Sequence, residues 1–79
     1  MISVVQIKAA RAMLGWSATE LALRIEASPA TIKRYELQEG IPAAKAVILH
    51  AIQRVLEEAG IEFTGDPLKN PGVILNLMK

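Results

Sequence analysis

The side chains best suited to chemistry are two adjacent cations, Lys33 and Arg34, in the segment Ser28-Pro29-Ala30-Thr31-Ile32-Lys33-Arg34-Tyr35-Glu36. They supply positive charge and N–H donors, so what they offer is recognition of anions and polar acceptors, not bond making. On its own such a pair is a solvated face, and its setting has to give it meaning. The residue types needed for catalysis are poorly placed. Ser17, Ser28 and Thr31 have no His or Lys set as a base beside them. His50 is the single histidine, and there is no cysteine, so thiolate metal sites and disulfides are excluded. Glu57 and Glu58 are adjacent on a helical stretch and point about 100° apart, which suits solvation better than paired acid–base work. No glycine-rich phosphate loop is present. No enzyme, cofactor or metal is expected.

The charge around those cations is uneven. Residues 1–56 carry seven Lys/Arg (Lys8, Arg11, Arg24, Lys33, Arg34, Lys45, Arg54) against four Glu, a net of +3, while residues 57–79 carry two Lys against four acids, a net of −2. The positive part is the part that hints at a nucleic-acid face. Seventy-nine residues leave room for one domain, 1–79. A hydrophobic share of 52% is high for a small monomer. It reads equally as a core rich in Ala and Leu or as apolar surface kept for a subunit interface. No stretch has the length of a membrane span and Met1-Ile2-Ser3 does not begin a signal sequence, so a cytoplasmic, nucleoid-associated protein is expected.

The elements that must carry Lys33 and Arg34 are punctuated clearly. Ser3-Val4-Val5-Gln6 has the pattern of a capping box, opening a helix to Leu14 that Gly15 ends. Ser17-Ala18-Thr19-Glu20 is a second such box, with Trp16 and Leu21 placed as a hydrophobic staple. It opens a helix over 18–26 whose inner face is Leu21, Ala22 and Ile25, with Glu20 and Arg24 an i,i+4 pair. Ser28-Pro29 is an N-cap followed by proline, starting a helix over 29–37 with Ile32 and Tyr35 inward. A helix over 43–59 follows Gly40-Ile41-Pro42 and ends at Gly60. Beyond it, 61–64 and 73–77 read as strands of a hairpin spanning 61–78, with turn signals at Gly65-Asp66-Pro67 and Asn70-Pro71-Gly72. The other reading of this tail is a loop and one short strand. The predicted class is mainly α, four helices with a short C-terminal β-hairpin.

The unit 17–37 is thus two short helices joined by a tight turn, which leaves the second projecting and free to enter a major groove. Such units also serve as protein-packing modules. Here Ala22 has the small size that a close crossing needs, and Ile25 and Ile32 are apolar as its glue.

These residues carry a resemblance. Leu14-Gly15-Trp16-Ser17, Glu20-Leu21-Ala22, Ser28-Pro29-Ala30-Thr31-Ile32 and Glu36 resemble the phage Cro and lambda-repressor helix-turn-helix family, the xenobiotic-response-element type, over about residues 5–56. The tail from Glu57 through Gly72-Val73 is similar to that of compact members with a C-terminal hairpin. The resemblance implies a transcriptional regulator, a repressor acting by promoter occlusion, with double-stranded DNA as partner. It implies that the third helix reads DNA through Ser28, Pro29, Ala30, Thr31, Lys33 and Arg34. It assigns Ser17 and Ala18 to phosphate, and Lys45 is a further candidate there. It makes Arg11 and Glu36 a salt bridge between the first and third helices. The chain departs from the family where the turn glycine is replaced by Glu26, at a cost of roughly 1 kcal/mol. It departs again where Ala18, Pro29 and Ala30 replace polar side chains, leaving base readout to Lys33 and Arg34.

The last strand is apolar on both sides, Val73, Leu75 and Leu77 on one, Ile74 and Met78 with Asn76 on the other. An open edge of this kind invites another chain. A homodimer through Val73, Ile74, Leu75 and Leu77 and the end of the fourth helix is expected. The alternatives are a toxin partner, as in an antitoxin that binds its own operator, and a hairpin folded back as core.

Overall fold

In a computed structural model, which describes residues 1–77, four helices are followed by two strands: α1 Val4–Leu14, α2 Ala18–Arg24, α3 Pro29–Glu36, α4 Ala46–Glu58, β1 Ile61–Thr64 and β2 Gly72–Leu75. The strands pair antiparallel, Ile61 opposite Leu75 and Thr64 opposite Gly72. One core serves all six elements. Ile7 and Ala10 of α1, Leu21 and Ala22 of α2, Ile32 and Tyr35 of α3, and Leu49, Ile52 and Leu56 of α4 are buried together with Ile2 and Ile61. Phe63, Val73 and Leu75 pack against this cluster, so the hairpin is part of the same core as the helices. No described helix is long and apolar enough to cross a membrane.

The predicted element types hold and several ends move. The helix expected from residue 43 begins at Ala46. The N–H of Ala43 is taken by Gln38 Oε1 at 2.6 Å, and Lys45 is an extended N-cap without a capping side-chain bond. The second strand, expected over 73–77, covers Gly72–Leu75. Its partner strand begins at Ile61, and the Asn76 N–H meets Gly60 O at 2.8 Å, so there is no strand left to pair with Leu77. Met78, placed at the end of the expected hairpin and beside Ile74, lies outside the described residues.

The four residues expected at a homodimer interface, Val73, Ile74, Leu75 and Leu77, differ in their surroundings within the single chain. Val73 and Leu75 face inward onto the core, Ile74 faces out, and Leu77 lies past the strand, 84% exposed. Alternation along a strand sends neighbours to opposite faces, so one sheet face holds Val73 and Leu75 without Ile74.

Ser3 and Gln6 do more than open α1. The Ser3 N–H donates to Gln6 Oε1 at 3.0 Å. The Gln6 amide, itself buried, donates to Gly72 O at 3.1 Å and Thr64 O at 3.3 Å, fastening the open end of the β1–β2 ladder to α1. The Val4 N–H, orphaned within its helix, is satisfied by Gly40 O at 2.8 Å.

Candidate nucleic-acid interface

The α3 helix is started by its own sequence. Ser28 is extended, and its Oγ accepts from the Thr31 N–H at 3.3 Å and lies 2.9 Å from Thr31 Oγ1, while Pro29 fills a position where no N–H is needed. Ile32 and Tyr35 are buried against the core and give α3 its inner face. The spacing then forces the rest outward. Ala30, Lys33, Arg34 and Leu37 recur at three- and four-residue intervals and are all exposed, Leu37 to 87%. Pro29 and Thr31 are half-buried at its start. The Arg34 guanidinium lies 5.6 Å from the Tyr35 ring centroid.

Three contacts hold that face in place. The first is the turn after α2. The Ala27 N–H bonds Ala22 O at 2.9 Å and the Glu26 N–H bonds Leu23 O at 3.3 Å, the two bonds of a Schellman cap. This cap places Glu26 in the left-handed region at φ 58°, where the family resemblance implies glycine. The second is Ala22, fully buried beneath α3, where a larger side chain would separate the two helices. The third is the Arg11 fork. Its Nε and Nη2 each reach a Glu36 carboxylate oxygen at 2.6 Å, and Nη1 donates to Trp16 O at 2.8 Å. Both side chains are more than four-fifths buried, so one guanidinium ties α1, the α1–α2 corner and the end of α3 together.

At that corner Ser17 caps α2, its Oγ accepting from the Glu20 N–H at 3.0 Å. Ser17 is exposed and Ala18 half-buried. Trp16 is half-buried, and the Arg24 guanidinium stacks 4.0 Å from its ring centroid while bonding Glu20 at 2.9 Å. Trp16 is thus engaged in packing, against the core and under the Arg24 guanidinium. Lys45 is exposed at the N-cap of α4.

The structure adds Lys8, which the sequence reading left unused. Lys8 and Lys33 line one shallow concavity with Glu36 and Leu37, so a third cation flanks the outer face of α3. The signal was its spacing. Lys8 stands three residues before Arg11 and so shares the side of α1 that meets α3. His50, Glu57 and Glu58 form no cluster with one another, and no group able to hold a metal ion occurs among the described residues.

The geometry is that of two short helices, a capped turn and an outward cationic helix, and the comparison with known families agrees. A helix-turn-helix family model matches residues 7–49, more than half of the chain. No curated protein matches the chain. The chain belongs to the helix-turn-helix family of the Cro/C1, or xenobiotic-response-element, type, a DNA-binding and non-enzymatic family.

Proposed function

We propose that this protein is a dimeric transcriptional regulator that inserts α3 into the major groove of double-stranded DNA and represses by covering a promoter. The observation that carries this reading is the outward strip Ala30-Lys33-Arg34, exposed on a helix whose other side is buried and whose end is held by the Arg11–Glu36 fork. Lys33 and Arg34 are the long donors suited to guanine O6 and N7, and Ala30 is suited to a thymine methyl. Ser28, Pro29 and Thr31 lie at the helix start, where contact with the groove wall is closest. Ser17, Ala18 and Lys45 meet phosphates and set the register of docking. Lys8 extends the phosphate track along α1.

With two cations and one methyl as base-reading groups, sequence discrimination is modest and leans on the shape and deformability of the site. A dimer presents two such helices about 34 Å apart, one turn of DNA, and so prefers a near-palindrome. Such a protein works in the cytoplasm, on the nucleoid.

The test is selection from a pool of random duplexes at near-physiological salt. Enrichment of a two-fold symmetric site is the expected result. A folded sample that enriches nothing, and whose binding to duplex does not weaken with added salt, overturns the reading, because phosphate contacts must release counterions.

A further inference from the structure

The outer face of α3 ends on a side chain that the proposed function leaves unused. Leu37 is 87% exposed, the most exposed large hydrophobic side chain among the described residues. It is the C-cap residue of α3 and keeps helical angles, φ −84° and ψ −9°, so the face continues through it. The chain just behind it is held. The Gln38 N–H bonds Tyr35 O at 3.1 Å, and the Gln38 side chain takes the Ala43 N–H at 2.6 Å. The helix also sets Leu37 at the middle of its outward side. Ile32 and Tyr35 point into the core. Ala30 and Leu37 stand opposite them, seven residues apart, about 20° short of two full turns. The two are thus nearly in line along the helix, with Lys33 on one flank of that line and Arg34 on the other. Together the four have the i, i+3, i+4, i+7 spacing of one reading ridge on a helix laid in the major groove. With eight residues, α3 is about 12 Å long, no longer than the groove is wide, so both of its ends fit inside.

We infer that Leu37 is a specificity-determining residue that packs on the C5-methyl group of a thymine, about three base pairs from the thymine met by Ala30. This role rests on the DNA binding of the proposed function and adds to it a second apolar reader and a spacing. Seven residues advance about 10.5 Å along a helix, and three base-pair steps advance about 10 Å along DNA. The chemistry selects the base. A leucine side chain has no donor or acceptor, so against the polar edges of guanine, adenine or cytosine it strips water and returns nothing. The thymine methyl is the one alkyl group that the major groove presents. The surroundings favour burial of Leu37 by DNA. It shares a shallow concavity with Lys8, Lys33 and Glu36. The two ammonium groups draw backbone phosphates to that side, and Glu36 opposes them little because its carboxylate is held by the Arg11 fork.

The test uses the intact chain and the site it selects from random duplexes. Each thymine of a half-site is replaced in turn by deoxyuridine, which lacks only the C5-methyl group. Kd is then measured at one salt concentration for the parent and for Leu37→Ala. The exposed position lets Leu37→Ala keep the parent's helical circular-dichroism spectrum. In the parent, two thymines about three base-pair steps apart are expected to be sensitive. Each replacement weakens binding about four-fold, the worth of one buried methylene-sized group. In Leu37→Ala one of the two loses its sensitivity and the other keeps it. Repeating the selection with this variant relaxes the preference for T·A at the first of these positions and leaves the second unchanged.

A Leu37→Ala variant that keeps both sensitivities overturns the role. So does one that weakens every duplex alike, the mark of a contact to the sugar-phosphate backbone. So does a selected half-site with no thymine pair at that spacing. A folded parent that selects no duplex overturns the DNA reading, and the Leu37 role with it. A parent that selects a site, with none of these differences in Leu37→Ala, counts against the Leu37 role alone.

Discussion

Replacing Glu26 by glycine should stabilise this protein, although it removes a whole side chain. Glu26 sits at φ 58° in the turn between α2 and α3, held there by the cap bonds from the Glu26 and Ala27 N–H groups. An L-residue in this conformation costs about 1–2 kcal/mol, because Cβ crowds the following carbonyl. Glycine removes that cost, but its freer unfolded chain takes back roughly 0.4–1 kcal/mol. The side chain is exposed, so little packing is lost. The net gain for Glu26→Gly is about 0.5–1 kcal/mol. For a domain of this size that corresponds to a rise in Tm of about 2–8 °C. Glu26→Ala is the control. It removes the same carboxylate and keeps Cβ, so its stability should stay within about 0.5 kcal/mol of the parent. The assay is thermal and urea unfolding followed by circular dichroism, all variants at one protein concentration, since self-association makes Tm depend on concentration. If Glu26→Gly melts at or below Glu26→Ala, the left-handed turn is not a strained point and the reasoning fails.

Further outcomes follow from the other contacts. Arg11→Ala leaves Glu36 largely buried without its partner and should cost about 2–3 kcal/mol in urea unfolding. Arg11→Lys should recover only part of this, because a single ammonium cannot make the two-pronged contact together with the bond to Trp16 O. Gln6→Leu should cost about 1–3 kcal/mol by removing the amide that bonds Thr64 O and Gly72 O. Its signature in hydrogen exchange is faster exchange in β1 and β2 than in α2 and α3. For DNA binding, Lys8→Gln should weaken all sequences alike and reduce the salt slope by about 0.9, as one phosphate contact does. Arg34→Gln, by contrast, should cost about 1–3 kcal/mol at the preferred site and relax the preference there.

Local signals in this sequence were legible because each acts within a few residues. Ser17 and Ser28 announce the starts of α2 and α3 through bonds to residues three positions on, and the structure has both. Glu26 was marked as the left-handed position through the resemblance, with nothing in its own side chain to say so. The start of α4 was misplaced because the apolar period continues smoothly back through Ala44, and period alone does not mark a first turn. The Gln38 side chain, outside the segment, takes the Ala43 N–H, and the helix begins only at Ala46. The length of β2 was overread for a related reason. Leu75 and Leu77 look alike in the sequence, but only the end of β1 decides that pairing stops between them. Lys8 carries no local signal, because its place beside α3 depends on a neighbour, Lys33, that sequence distance hides. Gln6 shows the limit most plainly. Its bond to Ser3 is written in the capping pattern, while its bonds across 58 and 66 residues are written nowhere local.

Those two long bonds bear on the order in which the chain can become complete. The ribosome makes α1 before β2, yet a buried amide in the first turn of α1 finds its acceptors only at Thr64 and Gly72. Until they arrive, the Gln6 amide must stay hydrated or sit unsatisfied. The stretch that carries the family signature, residues 7–49, contains neither this amide nor its two acceptors. A message or a protease that stopped the chain before Gly72 would yield a protein still containing all four helices but with the Gln6 amide short of its Gly72 acceptor. The hairpin thus supplies the last acceptors for a side chain made at the beginning of the fold.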